Sequence, residues 1–196
     1  MQICTYDNEE HLLENCRKGS RDAFEVLVKR HMKDAYRIAA GLVGNSDDAL
    51  ELSQEAFYRA FRNIRHLNPQ SKFFPWFYQI LKNLCFSHLR KRRLRRTSAL
   101  PQIDGEDLTA ADGDGFDPHL VVERNESKDQ VWKAIGRLSP KHREVIILRH
   151  FRDMSYEQMA EALFCSTGTV MSRLYHARKK LKETLECAKG GHVYDL

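Results

Sequence analysis

The fold is decided by residues 155–183, which read SYEQMAEALFCSTGTVMSRLYHARKKLKE. Ser155 and Gln158 have the spacing of a capping box at the start of a short helix. The helical pattern then stops over Phe164-Cys165-Ser166 and resumes in a longer helix, capped by Ser166 or Thr167. We therefore predict two helices joined by a tight turn, which is a helix-turn-helix.

The longer helix has an apolar face and a basic, polar face. Its apolar residues recur at steps of three and four and form the buried face: Val170, Leu174, Ala177, Leu181 and Leu185. The other residues face outward, where side chains near the N-terminal end of a helix reach base edges and flanking cations bind phosphates. We interpret it as a helix that reads duplex DNA in the major groove; an ordinary amphipathic C-terminal helix is the alternative.

Helical periodicity also dominates the rest of the chain, and no run of alternating apolar and polar residues predicts a strand. We predict an all-α protein with two small helical domains, over residues 1–96 and 126–188, and a tail at 189–196. The periodicity disappears over residues 97–125, where Asp, Gly and Pro take over, so we interpret this stretch as a flexible acidic linker.

Composition and charge agree with two small soluble domains. The 196 residues are 42% hydrophobic and 30% charged, with a net charge of +5. Residues 1–96 hold 18 Lys/Arg against 11 Asp/Glu, residues 97–128 hold 2 against 8, and residues 129–196 hold 12 against 8. Arg90–Arg96 contains six cations in seven residues. Because so many neighbouring positive charges repel one another, this segment favours a nucleic-acid partner over a merely solvated surface.

Two features of the N-terminal half carry further functional signals. We expect helices over Glu9–Arg17, from Ser20 to the glycines Gly41 and Gly44, and from Ser46 to about Arg65, with the Ser46 hydroxyl as the cap of the third helix. The third of these carries an acidic stripe of Asp48, Glu51 and Glu55, which is either solvated surface or a docking face for a basic protein.

The second feature is an aromatic group at the start of the next helix, where Pro75 fits the first turn. Phe73, Phe74, Trp76 and Tyr78 crowd together beside Lys72. This is more aromatic surface than one helix stripe buries, so we predict that some rings stack on unpaired bases. In the alternative all four rings pack in the core, which we expect for Phe74 and for the neighbouring Phe77.

The order of these motifs resembles the extracytoplasmic-function group of the sigma-70 family of bacterial sigma factors. The N-terminal residues that carry the resemblance are Asp22-Ala23-Phe24-Glu25-x-Leu27, Asp47-Asp48-Ala49, Gln54-Glu55-Ala56-Phe57 and Phe74-x-Trp76-Phe77-x-x-Ile80-x-x-Asn83. The C-terminal ones are Leu138-Ser139-Pro140, Arg143-Glu144-Val145, Ser155–Ala160, Gly168–Leu174 and Ala177-Arg178.

The resemblance implies three binding surfaces. Core RNA polymerase would dock on Asp48, Glu51, Gln54 and Glu55. The −10 promoter element would be opened and read as a single strand by Asn68, Lys72, Phe73, Trp76, Asn83, Arg90, Lys91, Arg92 and Arg93. The −35 element would be read as duplex by Ser166, Thr167, Gly168, Thr169, Met171, Ser172, Arg173, Tyr175, His176, Arg178 and Lys179.

The resemblance also implies the partners: core RNA polymerase, promoter DNA and an anti-sigma factor. The linker would pass through polymerase toward the RNA exit channel. Three residues depart from the family pattern. Ser87 replaces a usual Asp, Met171 replaces a common cation, and Phe164 replaces a Gly in the turn. We expect the Phe164 ring to pack inward.

Two other functions are alternatives to this one. A stand-alone helix-turn-helix transcription regulator would use residues 126–188 to read duplex and the N-terminal helices for dimerisation or sensing, but this leaves the aromatic group and the acidic stripe unexplained. A metal-dependent nuclease needs clustered carboxylates and histidines, whereas the nine histidines are dispersed. We predict no enzymatic activity, no cofactor and no metal.

The cysteines and the apolar runs place the protein in the cytoplasm. Five cysteines without a CxxC pair read as reduced, mostly buried thiols, and Cys4, His11 and Cys16 are too loosely spaced to favour a metal site. Apolar runs fall far short of the roughly 18 to 20 residues of a membrane helix. The first ten residues lack the features of a secretory signal, so we predict a cytoplasmic protein without membrane insertion of its own.

Overall fold

The structure, a computed structural model, describes residues 8–97 and 126–190. These ranges contain helices and no strand, which confirms the all-α class. The helices are α1 Glu9–Arg17, α2 Arg21–Val43, α3 Ser46–Asn63, a 3-10 turn at Ile64–His66, α4 Phe73–Thr97, α5 Glu126–Gly136, α6 Pro140–Phe151, α7 Tyr156–Leu163 and α8 Thr167–Gly190. Cys4, residues 98–125 of the linker and residues 191–196 of the tail lie outside the described residues.

Short polar side chains begin the helices largely where the sequence predicts. The Ser20 hydroxyl accepts a hydrogen bond from the third amide beyond it, at 3.2 Å. Ser155 and Gln158 form a complete capping box, with N···O distances of 3.2 and 2.8 Å. At α3 the cap is Asn45 and Ser46 is the first helical residue, so the predicted start is one residue late. The amide oxygen of Asn45 performs the acceptor role that we had given to the Ser46 hydroxyl.

The prediction that Gly41 ends α2 is wrong. Gly44 ends the helix in the left-handed conformation, at φ 73°, whereas Gly41 lies inside it. A Cβ at Gly41 would lie 2.7 Å from Cδ1 of the buried Ile147 in α6 and 3.5 Å from the Trp132 ring in α5. Glycine at this position therefore lets the backbone of α2 approach the C-terminal helices closely.

The two helical units pack against each other. Helices α1 to α4 form the N-terminal unit and α5 to α8 the C-terminal unit. Helix α6 packs on α2, and α7 packs on α4. The apolar core runs continuously from one unit into the other.

A buried carboxylate lies where the units meet. Glu144 of α6 is only 2% exposed. Its Oε1 accepts a hydrogen bond from the Tyr78 hydroxyl at 2.7 Å and pairs with Lys82 Nζ at 2.8 Å, both from α4. Burial raises the pKa of Tyr78 well above its usual value, and the Glu144 carboxylate raises it further. Tyr78 is thus held as a neutral hydrogen-bond donor.

The neighbouring Arg143 also spans the two units. Its side chain is buried and donates within its own unit to the backbone carbonyls of Ile135, Gly136 and Leu138, at the end of α5. Its Nη1 donates across the contact to the carbonyl of Leu42, near the end of α2, at 2.7 Å. One guanidinium therefore satisfies carbonyl groups at the C-terminal ends of two helices, where a positive charge is favoured.

A second polar contact lies beyond the end of α6. Arg152 forms an ion pair with Asp34 of α2, and its guanidinium carbon lies 4.2 Å from the centre of the Phe74 ring. Its Nη2 lies 3.3 Å from Nδ1 of His31, which is 5% exposed. Because arginine only donates, Nδ1 must be the unprotonated nitrogen. The Nε2 of His31 is buried and has no hydrogen-bond partner among the described residues.

The environment of His31 predicts a pH dependence. Burial, together with the charges of Arg152 and Arg30, lowers its pKa to about 4, while Asp34 faces the Arg152 guanidinium. In the unfolded chain the pKa is about 6.5, so between pH 6.5 and 4 the unfolded state binds the extra proton. We expect acidification from pH 7 to 5 to cost the wild type about 2 kcal/mol more unfolding free energy than His31→Gln. Urea denaturation of both proteins at each pH measures this difference; equal losses would contradict it.

Candidate nucleic-acid interface

The turn before α8 is short and strained. Phe164 adopts the left-handed conformation, at φ 49°, which explains why a glycine suits this position. Its ring is 79% exposed, so the expectation that it packs inward is wrong. Ser166 then caps α8. Its hydroxyl accepts from the Thr169 amide at 3.1 Å and lies 2.9 Å from the Thr169 hydroxyl.

Helix α8 has the two faces that the sequence predicts. Val170, Leu174 and Ala177 are buried, while Leu181 and Leu185 near the far end are half-buried. The exposed members of the predicted duplex-reading set are Ser166, Thr167, Gly168, Met171, Ser172, Tyr175, His176, Arg178 and Lys179. Thr169 and Arg173 are half-buried. The predicted set therefore lies on one accessible surface, at and beyond the N-terminal end of the helix.

The cations of α8 act on titratable neighbours in the same unit. Partial burial lowers the pKa of His142, and His176 and Arg173 lower it further. Partial burial likewise lowers the pKa of His150, with Arg178 and Arg149 as the next causes. Both effects indicate a positive potential on this part of the C-terminal unit, which attracts phosphates.

The aromatic group on α4 is more deeply buried than predicted. Phe73, Phe74 and Tyr78 are all buried, as is Phe77, so the prediction that the group exceeds what the core holds is wrong for Phe73 and Tyr78. The physical reason is that α4 packs on α2 and α3 on one side and on α7 on another. The Phe73 ring stacks on Phe77, with centroids 5.4 Å apart.

Trp76 is the half-buried exception, and it begins an accessible line along α4. Trp76, Asn83 and Arg90 are spaced at seven residues, two helical turns, and so lie on one side of the helix. Asn83, Arg90, Lys91 and Arg93 are exposed and Arg92 is half-buried. One aromatic ring, one amide and several cations therefore share the surface of one helix.

The loop before α4 is ordered by a turn. The Asn68 carbonyl accepts from the Ser71 amide at 2.9 Å, and its side-chain oxygen accepts from the Gln70 amide at 3.0 Å. Asn68 and Lys72 are exposed. The structure thus places the loop residues of the predicted single-strand set directly before the Trp76 line.

The acidic stripe lies on α3, together with apolar residues that we had not assigned. Glu51 and Gln54 are exposed, and Glu55 pairs with Arg59 at 2.6 Å. The half-buried Asp48 lies 3.1 Å from His88 of α4. Leu50 and Tyr58, on either side of Gln54 at steps of four, are 50% and 56% exposed. The sequence contains a signal for Leu50 and Tyr58, because both are apolar residues that lie outside the buried apolar stripe of α3.

The described residues show no grouping suited to metal chemistry, since no three His, Cys, Asp or Glu side chains converge there. The described cysteines are free thiols. Burial raises the pKa of Cys16 to about 11 and that of Cys85 to about 12, which makes both poor nucleophiles. Residues 8–97 and 126–190 contain no helix long and apolar enough to cross a membrane.

Comparison with known proteins gives two family matches. Residues 27–95 match the model of sigma-70 region 2, and residues 128–181 match that of sigma-70 region 4. The extracytoplasmic-function (ECF) RNA polymerase sigma factor SigW of Bacillus subtilis is 30% identical over 176 residues, covering 88% of this chain and 94% of that protein. The RNA polymerase sigma-H factor of Pseudomonas aeruginosa is 28% identical over 194 residues, 94% of this chain and 97% of that protein.

A solved structure also matches across both units. The sigma factor RpoE of Bartonella quintana, in complex with the anti-sigma factor NepR, superposes with a TM-score of 0.63 at 25% identity. The match covers 85% of this chain and 98% of that one.

Proposed function

Because the chain belongs to the ECF group of the sigma-70 family and is a sigma factor, we propose that its two units divide the promoter between them. The N-terminal unit, residues 1–96, binds core RNA polymerase through α3 and opens the −10 element with the loop before α4 and the line from Trp76 to Arg90. The C-terminal unit, residues 126–188, reads the −35 element with the outward face of α8. Residues 97–125 connect them.

The observation that supports this division is that two accessible surfaces of different composition lie on one chain. The outward face of α8 combines small polar, aromatic and basic side chains, as major-groove readers do. The α4 surface instead combines Trp76 with an amide and cations, which suits unstacked bases and their phosphates. A stand-alone regulator needs only the first surface, and the family membership favours the sigma factor over it.

The partners follow from the same membership. Core RNA polymerase supplies the chemistry, since sigma factors are not themselves enzymes, and the proposed docking face on α3 mixes carboxylates with the exposed Leu50 and Tyr58. We propose that an anti-sigma factor restrains this chain, as NepR binds RpoE of Bartonella quintana. We also propose that the protein works in the cytoplasm, where promoter DNA and polymerase are.

Promoter reading requires the packed units to separate. The −10 and −35 elements are centred about 25 base pairs apart, roughly 85 Å of duplex. In this structure hydrogen-bonded atoms of the two units lie within 3 Å of each other. A 24-residue helix such as α8 spans only about 36 Å. We therefore propose that the contact between α2 or α4 and the C-terminal helices opens when the protein joins polymerase at a promoter.

Reconstitution with bacterial core RNA polymerase tests the proposed function. We expect the purified protein to form a complex and to initiate transcription from those members of a promoter-fragment library that share one −35 and −10 pair. Glu51→Lys/Glu55→Lys should weaken polymerase binding at least tenfold through charge repulsion, whereas Glu25→Lys/Glu183→Lys, with the same change in net charge elsewhere, should not. Tight binding to duplex alone, without a polymerase complex, would instead support a stand-alone regulator.

Trp76→Ala should impair promoter opening while polymerase binding stays within twofold of wild type. The lost base stacking is worth about 1 to 3 kcal/mol, so we expect opening to fall roughly tenfold. Trp76→Phe, which keeps a ring, should restore most of it. Fluorescence of 2-aminopurine in the −10 element reports the opening, and normal opening by Trp76→Ala would remove the stacking role.

Gly41→Ala tests the separation of the units. Alanine stabilises an isolated helix by about 0.5 to 1 kcal/mol over glycine, but here its Cβ meets Ile147. We expect a larger radius of gyration by small-angle scattering and severalfold tighter polymerase binding. Gly168→Ala is the matched control, because a Cβ there would meet only Ser166 Oγ at 3.8 Å. A Gly41→Ala protein as compact as wild type would contradict the proposal.

A further inference from the structure

Helix α1 lies before the segment that matches sigma-70 region 2, which begins at residue 27. It is nevertheless a fixed part of the N-terminal unit. Leu12, Leu13 and Cys16 are buried, and the helix packs on α2 and on the 3-10 turn at Ile64–His66. Its exposed side therefore has a defined position relative to the loop that follows this turn.

The first residue of that helix makes a long-range contact with the start of α4. The Phe73 amide donates to Oε1 of Glu9 at 3.1 Å, across 64 positions of sequence. Lys72, which directly precedes α4, carries no side-chain acceptor and cannot cap it. Pro75 has no amide hydrogen to satisfy. A carboxylate from α1 thus serves as the cap that the loop itself does not supply, at the end of α4 where negative charge is favoured.

The last residue of α1 contacts the other end of the same loop. Arg17 Nη2 donates to the Pro69 carbonyl at 3.4 Å. Glu9 and Arg17 are eight residues apart in a helix, or about 12 Å. The four-residue step from Pro69 to Phe73 can span at most about 14 Å. Helix α1 therefore lies alongside the loop and holds it at both ends.

We propose that α1 is a positioning element for −10 recognition. Glu9 and Arg17 hold the loop from Asn68 to Lys72, and with it the first turn of α4, so that a flipped base meets Trp76 without further ordering of the protein. Neither residue needs to touch DNA. This inference rests on the proposed function, since it assigns α1 to the −10 surface described above. Its physical basis is preorganisation, because a loop that must be ordered during binding weakens that binding.

The test compares Glu9→Ala, Glu9→Gln and Glu10→Ala in the full-length protein with core polymerase. Glu10 lies in the same first turn of α1 but its side chain is exposed, so it is the matched control for charge and helix position. The template is the strongest promoter recovered from the fragment library. Readouts are polymerase affinity, affinity for a −35 duplex, and opening rate of the −10 element.

We expect Glu9→Ala to slow opening about five- to tenfold, with polymerase and −35 affinities within twofold of wild type. Glu9→Gln keeps an acceptor oxygen and should recover most of the rate, and Glu10→Ala should match wild type. A merely structural role would lower polymerase binding and opening together. Circular dichroism at the assay temperature checks folding, and Arg17→Ala, which removes the second tether, should slow opening in the same selective way.

Two results would overturn the inference: normal opening by both Glu9→Ala and Arg17→Ala, or an equal loss of opening and polymerase affinity in both. Failure of the proposed function is distinguishable from either, because the wild-type protein would then initiate at no promoter. That result would overturn the inference together with the proposed function, because there would be no −10 surface for α1 to position. If the wild type initiates normally, the differences in opening rate and polymerase affinity between the variants and the wild type report only on the role of α1.

Discussion

The carboxylate of Glu144, buried between two helical units, is the constraint on which the arrangement depends. A buried ion survives only with partners, and its partners Tyr78 and Lys82 come from the other unit. Such a buried cluster adds little net stability compared with apolar packing, because desolvation offsets most of the attraction. What it contributes is register, since a shift of α6 along α4 would leave a charge buried without a partner.

The same chemistry makes the contact separable. If the units separate fully, water solvates both the Glu144 carboxylate and the Lys82 ammonium. If one unit only slides along the other, the two charges lose each other as partners and neither is solvated. In the opening that we propose, the favoured states are therefore the fully packed and the fully open one. The close approach at Gly41 supplies apolar packing to the closed state, and the cluster defines its geometry.

Sequence reasoning predicted the elements and the outward face of α8 because these depend on local signals. Capping at Ser20 and Ser155 and the apolar steps of α8 involve residues at most four positions apart. The role of Gly41 was missed because its reason is Ile147, more than a hundred residues away. The aromatic group was misassigned for a related reason. A single helix cannot bury that many rings within its own unit, but α4 also packs on α7 of the C-terminal unit, so its excess aromatic surface signalled a second packing partner.

Sequence reasoning also placed Phe73 in the −10 set, whereas its ring packs on Phe77 and His31 in the core. Its backbone amide instead donates to Glu9 and so connects α4 to α1. Under our proposal, the −10 surface is thus positioned by groups that do not themselves contact DNA. In the packed arrangement the α8 face and the Trp76 line both remain at least partly accessible. Under our proposal, the packed protein would therefore be kept from a promoter by the spacing of the two surfaces and not by their burial, because one duplex cannot present elements roughly 85 Å apart to two units in contact.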